Sequence, residues 1–148
     1  MKELAISLAV LLTAAVPAQA GGKKAGYVLV VNAANTCSQV GADAQATAKK
    51  LFLKEMTQWP GGVEARPYAR ETGSPAHAAF VKSVLGMTDA ELARHWLKMK
   101  NMNGTTPPKD VDSDRLVLKY VAKHEGAFGV VKADAAKGVE GVRVLFEF

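Results

Sequence analysis

Hydrophobic and polar positions fall into blocks along the chain, and the blocks predict strands first. Residues 27–31 (YVLVV) are apolar throughout. A strand with one solvated face alternates apolar and polar residues, so this continuous run predicts a strand covered on both faces, as in a parallel sheet. Residues 63–69 predict a second strand, which Pro67 restricts to an edge position or a short length. Residues 127–131 and 142–146 predict the last strands.

Helical signals lie between these strands. Residues 43–54 predict a first helix, which ends before Pro60 and the two glycines that follow it. Ser74 predicts the N-cap of a second helix. Pro75 then occupies the first helical position, where its missing N–H costs nothing, and Gly86 ends the helix.

Two further helices are predicted by their caps. Thr88 and Glu91 have the spacing of a capping box, and Ser113 or Asp112 caps a helix that ends at Gly126. Strands and helices alternate without an internal repeat or a linker. The sequence therefore predicts one α/β domain, a three-layer sandwich around a mixed sheet of about four to five strands.

The N-terminal residues predict export. Lys2 precedes an apolar run of about 12 residues, too short to span a bilayer, and small residues follow at Ala18 and Ala20. We expect residues 1–20 to be a signal peptide cleaved near Ala20. Residues 21–148 then form the single domain, located in the periplasm or secreted.

Composition excludes several classes of function. The 148 residues are 49% hydrophobic and 22% charged, enough for a packed core. Nineteen Lys and Arg against 14 Asp and Glu give a net charge of +5, but the bases are dispersed and aromatic residues make up only 7%. Nucleic acid is therefore not an expected partner. A mildly basic surface suits small anions, an anionic membrane or plain solvation.

Catalytic chemistry has little support in the sequence. Cys37 is the one cysteine, so it has no disulfide partner within the chain. No motif joins it to His77, His95 or His124 as a thiol–base pair. No His, Cys or carboxylate residues have metal-ligand spacing. We expect no catalytic residues, no metal site and no cofactor.

Several sequence blocks, in this order, resemble a known family, the small substrate-binding-like proteins related to phosphate ABC-transporter binding proteins. The blocks are VVNAAN (30–35), LFLK (51–54), WPG (59–61), Arg70 with Gly73 and Ser74, LGM (85–87), GTTPP (104–108) and GAFGV (126–130). The resemblance covers residues 27–146 and implies the type II periplasmic-binding-protein fold. Full-length relatives have two lobes, and about 128 mature residues supply one lobe and half a coordination shell.

The resemblance also implies an anion site. In the phosphate-binding relatives a loop of the form Arg-x-x-Gly-Ser-Gly-Thr at a helix start contacts the ligand, and Arg70, Gly73 and Ser74 match it. Pro75 and Ala76 stand where the second Gly and the Thr would fall, which removes an N–H and a hydroxyl. A second group of contacts is implied in the loop after the first strand, at Asn35, Thr36 and Ser38.

Two interpretations of the Arg70 loop stay open at this point. An arginine near a helix N-terminus suits a tetrahedral oxyanion, because the guanidinium fork and the unpaired amides both favour negative charge. Alternatively, Ser74 only caps its helix and Arg70 pairs with a carboxylate such as Glu71.

The expected function is an exported solute-binding-like protein for phosphate or a similar oxyanion, with a membrane transporter or another envelope protein as partner. The alternative is a non-catalytic periplasmic interaction module whose ligand site is vestigial. An enzyme ranks last.

Overall fold

The computed structural model describes residues 26–148, and the predicted signal peptide lies outside them. Within this range the chain forms one five-stranded sheet in the order β3-β2-β4-β1-β5. The strands are β1 (Tyr27–Asn32), β2 (Arg66–Arg70), β3 (Lys109–Val111), β4 (Ala127–Lys132) and β5 (Val142–Glu147). The sheet is mixed, since β2 runs parallel to β3 and β4, whereas β1 runs antiparallel to β4 and β5.

Helices cover both faces of this sheet. They are α1 (Gly41–Phe52), α2 (Pro75–Phe80) with its π-helical continuation Val81–Leu85, α3 (Asp89–Asn103), α4 (Asp114–Lys123) and α5 (Ala133–Ala136). One buried cluster joins α1, α2 and α3 to the sheet, and a second joins α4 and α5 to its other face. The predicted three-layer α/β sandwich is therefore confirmed.

Strand β1 divides its side chains between the two clusters. Leu29 and Val31 are fully buried in the first cluster, and Val28 and Val30 are buried in the second. The prediction of a strand covered on both faces is thus confirmed. Its expected parallel direction is wrong, because both neighbours of β1 run antiparallel to it. Burial on both faces depends on the layers of helices and not on strand direction.

Strand β2 is short, as Pro67 predicts, but it does not lie at the edge of the sheet. It pairs with β4 at Arg66 and Pro67 and with β3 from Tyr68 to Arg70. Each part of β2 therefore has one ladder partner at a time, and this arrangement accommodates a proline in an interior strand.

The cap predictions are confirmed where the signal is local. Ser74, Thr88 and Ser113 each accept a hydrogen bond from a backbone N–H of the following helix, and Thr88 forms the full capping box with Glu91. Gly86 ends the π-helical turn with a left-handed φ of 63°.

Two short elements and one helix end differ from the prediction. Strand β3 and helix α5 lie in segments that the sequence did not assign, and α4 ends at Lys123, before Gly126. In the described part of the chain, no helix is both long and apolar enough to cross a membrane.

Candidate functional site

Arg70 ends β2 at the carboxyl end of the sheet, the end at which β2, β3 and β4 terminate. Its side chain is 9% exposed, and its guanidinium connects three elements. Nε donates to the carbonyl of Val111 (3.1 Å), Nη1 donates to the carbonyl of Val130 (2.9 Å), and Nη1 also pairs with the carboxylate of Asp114. Of the two interpretations, Arg70 therefore has a carboxylate partner, but the partner is Asp114 at the start of α4 and not Glu71.

One nitrogen of the Arg70 guanidinium, Nη2, makes none of these three contacts. The bonds to Val111, Val130 and Asp114 use Nε and Nη1, and Nη2 has no hydrogen-bond partner within residues 26–148. Nη2 is also not among the fully buried unpaired atoms of this range, so solvent reaches it. Arg70 is thus a structural residue that retains two N–H donors.

Gly73 and Ser74 follow Arg70 in the turn that leads into α2. Gly73 has a φ of 91°, which favours glycine, and the Ser74 hydroxyl accepts from the backbone N–H of His77 at 3.2 Å. The structure therefore places Arg70, Gly73 and Ser74 in one loop at the carboxyl end of the sheet. The Ser74 oxygen acts as an N-cap there, and its O–H remains a potential donor.

The other three predicted site residues lie elsewhere. Asn35, Thr36 and Ser38 follow β1, and because β1 is antiparallel to β4, they lie at the amino end of the sheet, where β2 and β4 begin. A six-residue strand is about 20 Å long. The structure therefore does not bring the two predicted groups of anion contacts together.

Asn35 has a structural role in its loop. It is 6% exposed, and its Oδ1 accepts from the backbone N–H of Cys37 at 2.8 Å, while Thr36 and Ser38 are exposed. Arg143 Nη2 donates to the carbonyls of Asn35 (2.9 Å) and Cys37 (2.6 Å). Asn35 Nδ2 is fully buried and has no partner in the described range.

A cleft of about 280 Å³, which we call the His77 cleft, opens between the first turns of α2 and α3 and the loop before β3. Its walls are largely apolar. They include Phe52, Leu92, Trp96, Pro107 and Pro108. The GTTPP block of the sequence thus supplies one wall of this cleft through its two prolines.

The polar groups of the His77 cleft are His77, Asp89, Asp110 and Thr72. His77 is 7% exposed, and its Nε2 lies 2.7 Å from Oδ1 of Asp89. No group of three or more His, Cys, Asp or Glu residues that could hold a metal ion occurs within residues 26–148.

Sequence reasoning missed this cleft and also the partners of the two arginines. A local signal existed for His77 and Asp89, because each falls in the first turn of a capped helix. Asp114 also falls in the first turn of a capped helix, but neither Asp114 nor Arg143 carried a signal for its partner, since the partners lie 44 and more than 100 residues away in the sequence.

Comparisons with known proteins identify the fold. No family model matches the chain, and no curated protein matches its sequence. Among solved structures, an ABC-type phosphate transport receptor from Vibrio cholerae matches 81% of this chain and 45% of its own, with a TM-score of 0.60 and 18% identity. PstS from Borrelia burgdorferi matches 81% of this chain and 46% of its own, with a TM-score of 0.58 and 14% identity.

A third structure agrees with these two. A chain from Clostridium perfringens, assigned as a phosphate ABC-transporter substrate-binding protein with bound phosphate, matches 80% of this chain and 53% of its own, with a TM-score of 0.56 and 17% identity. The chain thus has the fold of one lobe of such proteins and spans about half of their length.

Proposed function

We propose that this chain is a solute-binding-like protein that binds a small oxyanion, phosphate or a similar ion, at the Arg70 loop. The observation that carries the proposal is the position of this loop. In open α/β sheets, ligands bind outside the carboxyl ends of the strands, where successive connections leave in different directions. Arg70, Gly73 and Ser74 occupy that position in a fold shared with three phosphate-transport proteins.

Two sets of donors support an anion at this loop. Arg70 Nη2 keeps both of its N–H groups unpaired in the described range and reachable from solvent. The Ser74 hydroxyl accepts one backbone bond and keeps its own proton for donation. Hydrogen bonds from a guanidinium to an oxyanion are among the strong, charge-assisted class.

The same geometry limits the affinity. Asp114 holds Nη1 of Arg70, and its negative charge lies beside any anion at this loop. Pro75 provides no N–H, and one lobe provides part of a coordination shell. We therefore expect millimolar affinity for the chain alone, about −4 kcal/mol.

Export and a transporter partner belong to the same proposal. The expected signal peptide over residues 1–20 supports a periplasmic or secreted location. Two of the similar solved structures are a phosphate transport receptor and a phosphate ABC-transporter substrate-binding protein. This similarity supports a membrane transporter or another envelope protein as the partner.

Calorimetric titration of the purified chain with phosphate and with sulfate tests the proposal, with Ser74→Asp as the decisive variant. Aspartate is as good an N-cap as serine, so α2 should stay capped and the fold should keep its stability. The new carboxylate would repel an anion at the loop, and we expect affinity to fall at least tenfold.

Ser38→Asp is the matched control, because it makes the same change at the amino end of the sheet. The proposal requires that Ser38→Asp leaves binding intact. If Ser38→Asp abolishes binding and Ser74→Asp does not, the site lies in the other predicted group of residues. If neither anion produces heat at millimolar concentration, oxyanion binding by this chain is refuted.

A second candidate, a non-catalytic interaction module, is favoured by one observation. Arg70 is buried and already paired with Asp114, as expected of an anion site whose ligand has been replaced by a side chain. Absence of anion binding together with co-purification of the chain with an envelope complex would support this candidate.

A further inference from the structure

Residues 92–109 carry four of the five net positive charges of the chain. They contain no Asp or Glu, and they contain four exposed cations: Arg94, Lys98, Lys100 and Lys109. The two carboxylates of α3 precede this segment, in the first turn of the helix, and both are engaged there. Asp89 contacts His77, and Glu91 accepts from the backbone N–H of Thr88. The remainder of α3 is therefore a cationic surface.

Helix α3 has two faces of different character. The inner face is buried or half-buried and consists of Leu92, His95, Trp96 and Met99. The other face, which we call the α3 outer face, consists of five exposed residues spaced as on one side of a helix: Arg94, Leu97, Lys98, Asn101 and Met102. Leu97 is 61% exposed and Met102 is 68% exposed, two of the four exposed large hydrophobic side chains within residues 26–148. The outer face thus combines cations with aliphatic side chains.

The fold keeps the outer face in solvent. His95 Nε2 lies 2.8 Å from the carbonyl oxygen of Leu53, and Trp96 packs edge to face against Phe52 with ring centroids 6.4 Å apart. A rotation of α3 that buried Leu97 would break both contacts. The three cations of α3 form no hydrogen bond or ion pair with other residues of the described range. Their charge is therefore available to a partner.

We propose that the α3 outer face binds the surface of an anionic lipid bilayer. Lys and Arg side chains near such a surface are attracted to the negative headgroups, and aliphatic side chains add binding when they enter the boundary between headgroups and acyl chains. With α3 lying along the surface, Arg94 and Lys98 extend to the headgroups. Leu97 and Met102, on either side of these cations, enter the boundary.

The chemistry of the outer face favours a bilayer over an acidic protein as the partner. No residue of the described range holds Arg94 or Lys98 in one geometry, as recognition of fixed carboxylates would require. A fluid layer of headgroups adapts to mobile cations. The outer face contains no residue of the Arg70 loop, so this proposal does not depend on oxyanion binding.

Hydrogen–deuterium exchange of the whole chain on lipid vesicles tests the proposal. The vesicles contain equal amounts of phosphatidylglycerol and phosphatidylcholine, with phosphatidylcholine alone for comparison, at low ionic strength. The amides of residues 94–102 should exchange more slowly on the anionic vesicles only, and added salt should reverse the effect. Helix α4, on the other face of the sheet, should not change. Exchange is measured at α3 itself, so binding through residues 1–25 is distinguished from binding through the outer face.

The variant Arg94→Gln/Lys98→Gln tests the cations. Both residues are exposed and glutamine is a good helix former, so folding should not change. Binding in vesicle co-sedimentation should weaken about 20-fold. Lys119→Gln/Lys123→Gln is the matched control, because it removes two exposed cations with the same spacing from α4, and it should change binding less than about twofold.

The variant Leu97→Ala/Met102→Ala tests the aliphatic side chains at unchanged charge. Less apolar surface enters the bilayer, so binding should weaken about five-fold. Val40→Ala is the control, since Val40 is 76% exposed and precedes α1, outside the outer face, and it should leave binding unchanged.

Four results would overturn the proposal. The first is unchanged exchange at α3 on anionic vesicles. The second is an equal loss of binding in the two double glutamine variants, which would show general electrostatic attraction. The third is full binding by Leu97→Ala/Met102→Ala, which would exclude insertion. The fourth is equal protection of α3 by soluble polyglutamate, which would show that the face binds acidic polypeptides as well as bilayers.

Discussion

The two ends of the sheet each use an arginine, and they use it differently. At the carboxyl end, Arg70 is 9% exposed and joins two strand carbonyls to the carboxylate of Asp114. At the amino end, Arg143 is half-buried and holds the carbonyls of Asn35 and Cys37, with no ion pair among the described residues. An ion pair thus stabilises one end, and hydrogen bonds from a guanidinium to backbone carbonyls stabilise the other.

Arg70→Met should cause the largest loss of stability of any single substitution at the two ends of the sheet. It removes three bonds and leaves the Asp114 carboxylate, 24% exposed, without its cation. We expect a loss of about 4 kcal/mol in the free energy of unfolding, measured by urea denaturation.

The double variant Arg70→Met/Asp114→Asn separates the charge from the packing. It leaves no unpaired carboxylate, so it should recover part of the loss. A loss below about 1 kcal/mol for Arg70→Met alone would contradict the view that this ion pair stabilises the carboxyl end.

Gly126→Ala should destabilise the amino end by about 3 kcal/mol through overpacking. A Cβ at residue 126 would lie 1.7 Å from the carbonyl oxygen of Glu64, and backbone cannot move aside as a side chain can. The carbonyl of Gly126 also accepts from Trp59 Nε1 at 2.9 Å. Urea denaturation measures the loss. Fluorescence emission checks the packing, because buried Trp59 emits at shorter wavelength than a solvent-exposed tryptophan.

Gly129→Ala is the comparison for this change. A Cβ there would approach a methyl group of Val117 at 2.6 Å, and a side chain has more room to adjust, so the loss should be smaller. Equal losses would show that backbone contact is not what makes residue 126 sensitive.

Arg143→Met should cost about 2 kcal/mol, less than Arg70→Met, because two carbonyls lose a charged donor and no buried charge remains. Differential scanning calorimetry compares the two variants under one set of conditions. A greater loss for Arg143→Met would contradict the expectation that Arg70 contributes more to the free energy of unfolding than Arg143.

Ser74→Ala should have the smallest effect, about 1 kcal/mol, since it removes one N-cap. Ser113→Ala removes the equivalent cap of α4, where Ser113 Oγ accepts from Leu116 N at 3.2 Å, and should cost as much. A clearly larger loss for Ser74→Ala would assign its hydroxyl a role beyond capping.

The sequence predicts what local interactions determine. The caps at Ser74, Thr88 and Ser113 follow from residues three positions apart, and the burial of β1 follows from its own composition. The direction of β1 relative to its neighbours does not follow from its own residues, because it depends on which later strand pairs with it. The family resemblance grouped Asn35 with Arg70 as anion contacts, and these residues lie at opposite ends of the sheet.

The remaining gaps have similar causes. Strand β3 consists of Lys109, Asp110 and Val111, two of them charged, and acquires its strand conformation from pairing with β2. The partner of Arg70 lies 44 residues away, and the His77 cleft exists because two helices and a proline loop meet in space. No local pattern predicts these non-local arrangements.

The position of β1 in the sheet has a consequence for the order of folding. The strand is the first of the described chain, yet its ladder partners are β4 and β5, roughly a hundred residues further along the chain. Closing so long a loop is entropically costly, and chains dominated by such pairings fold slowly. During synthesis, β1 has no strand partner until β4 has left the ribosome, so the apolar strand stays available to a chaperone while most of the chain is being made.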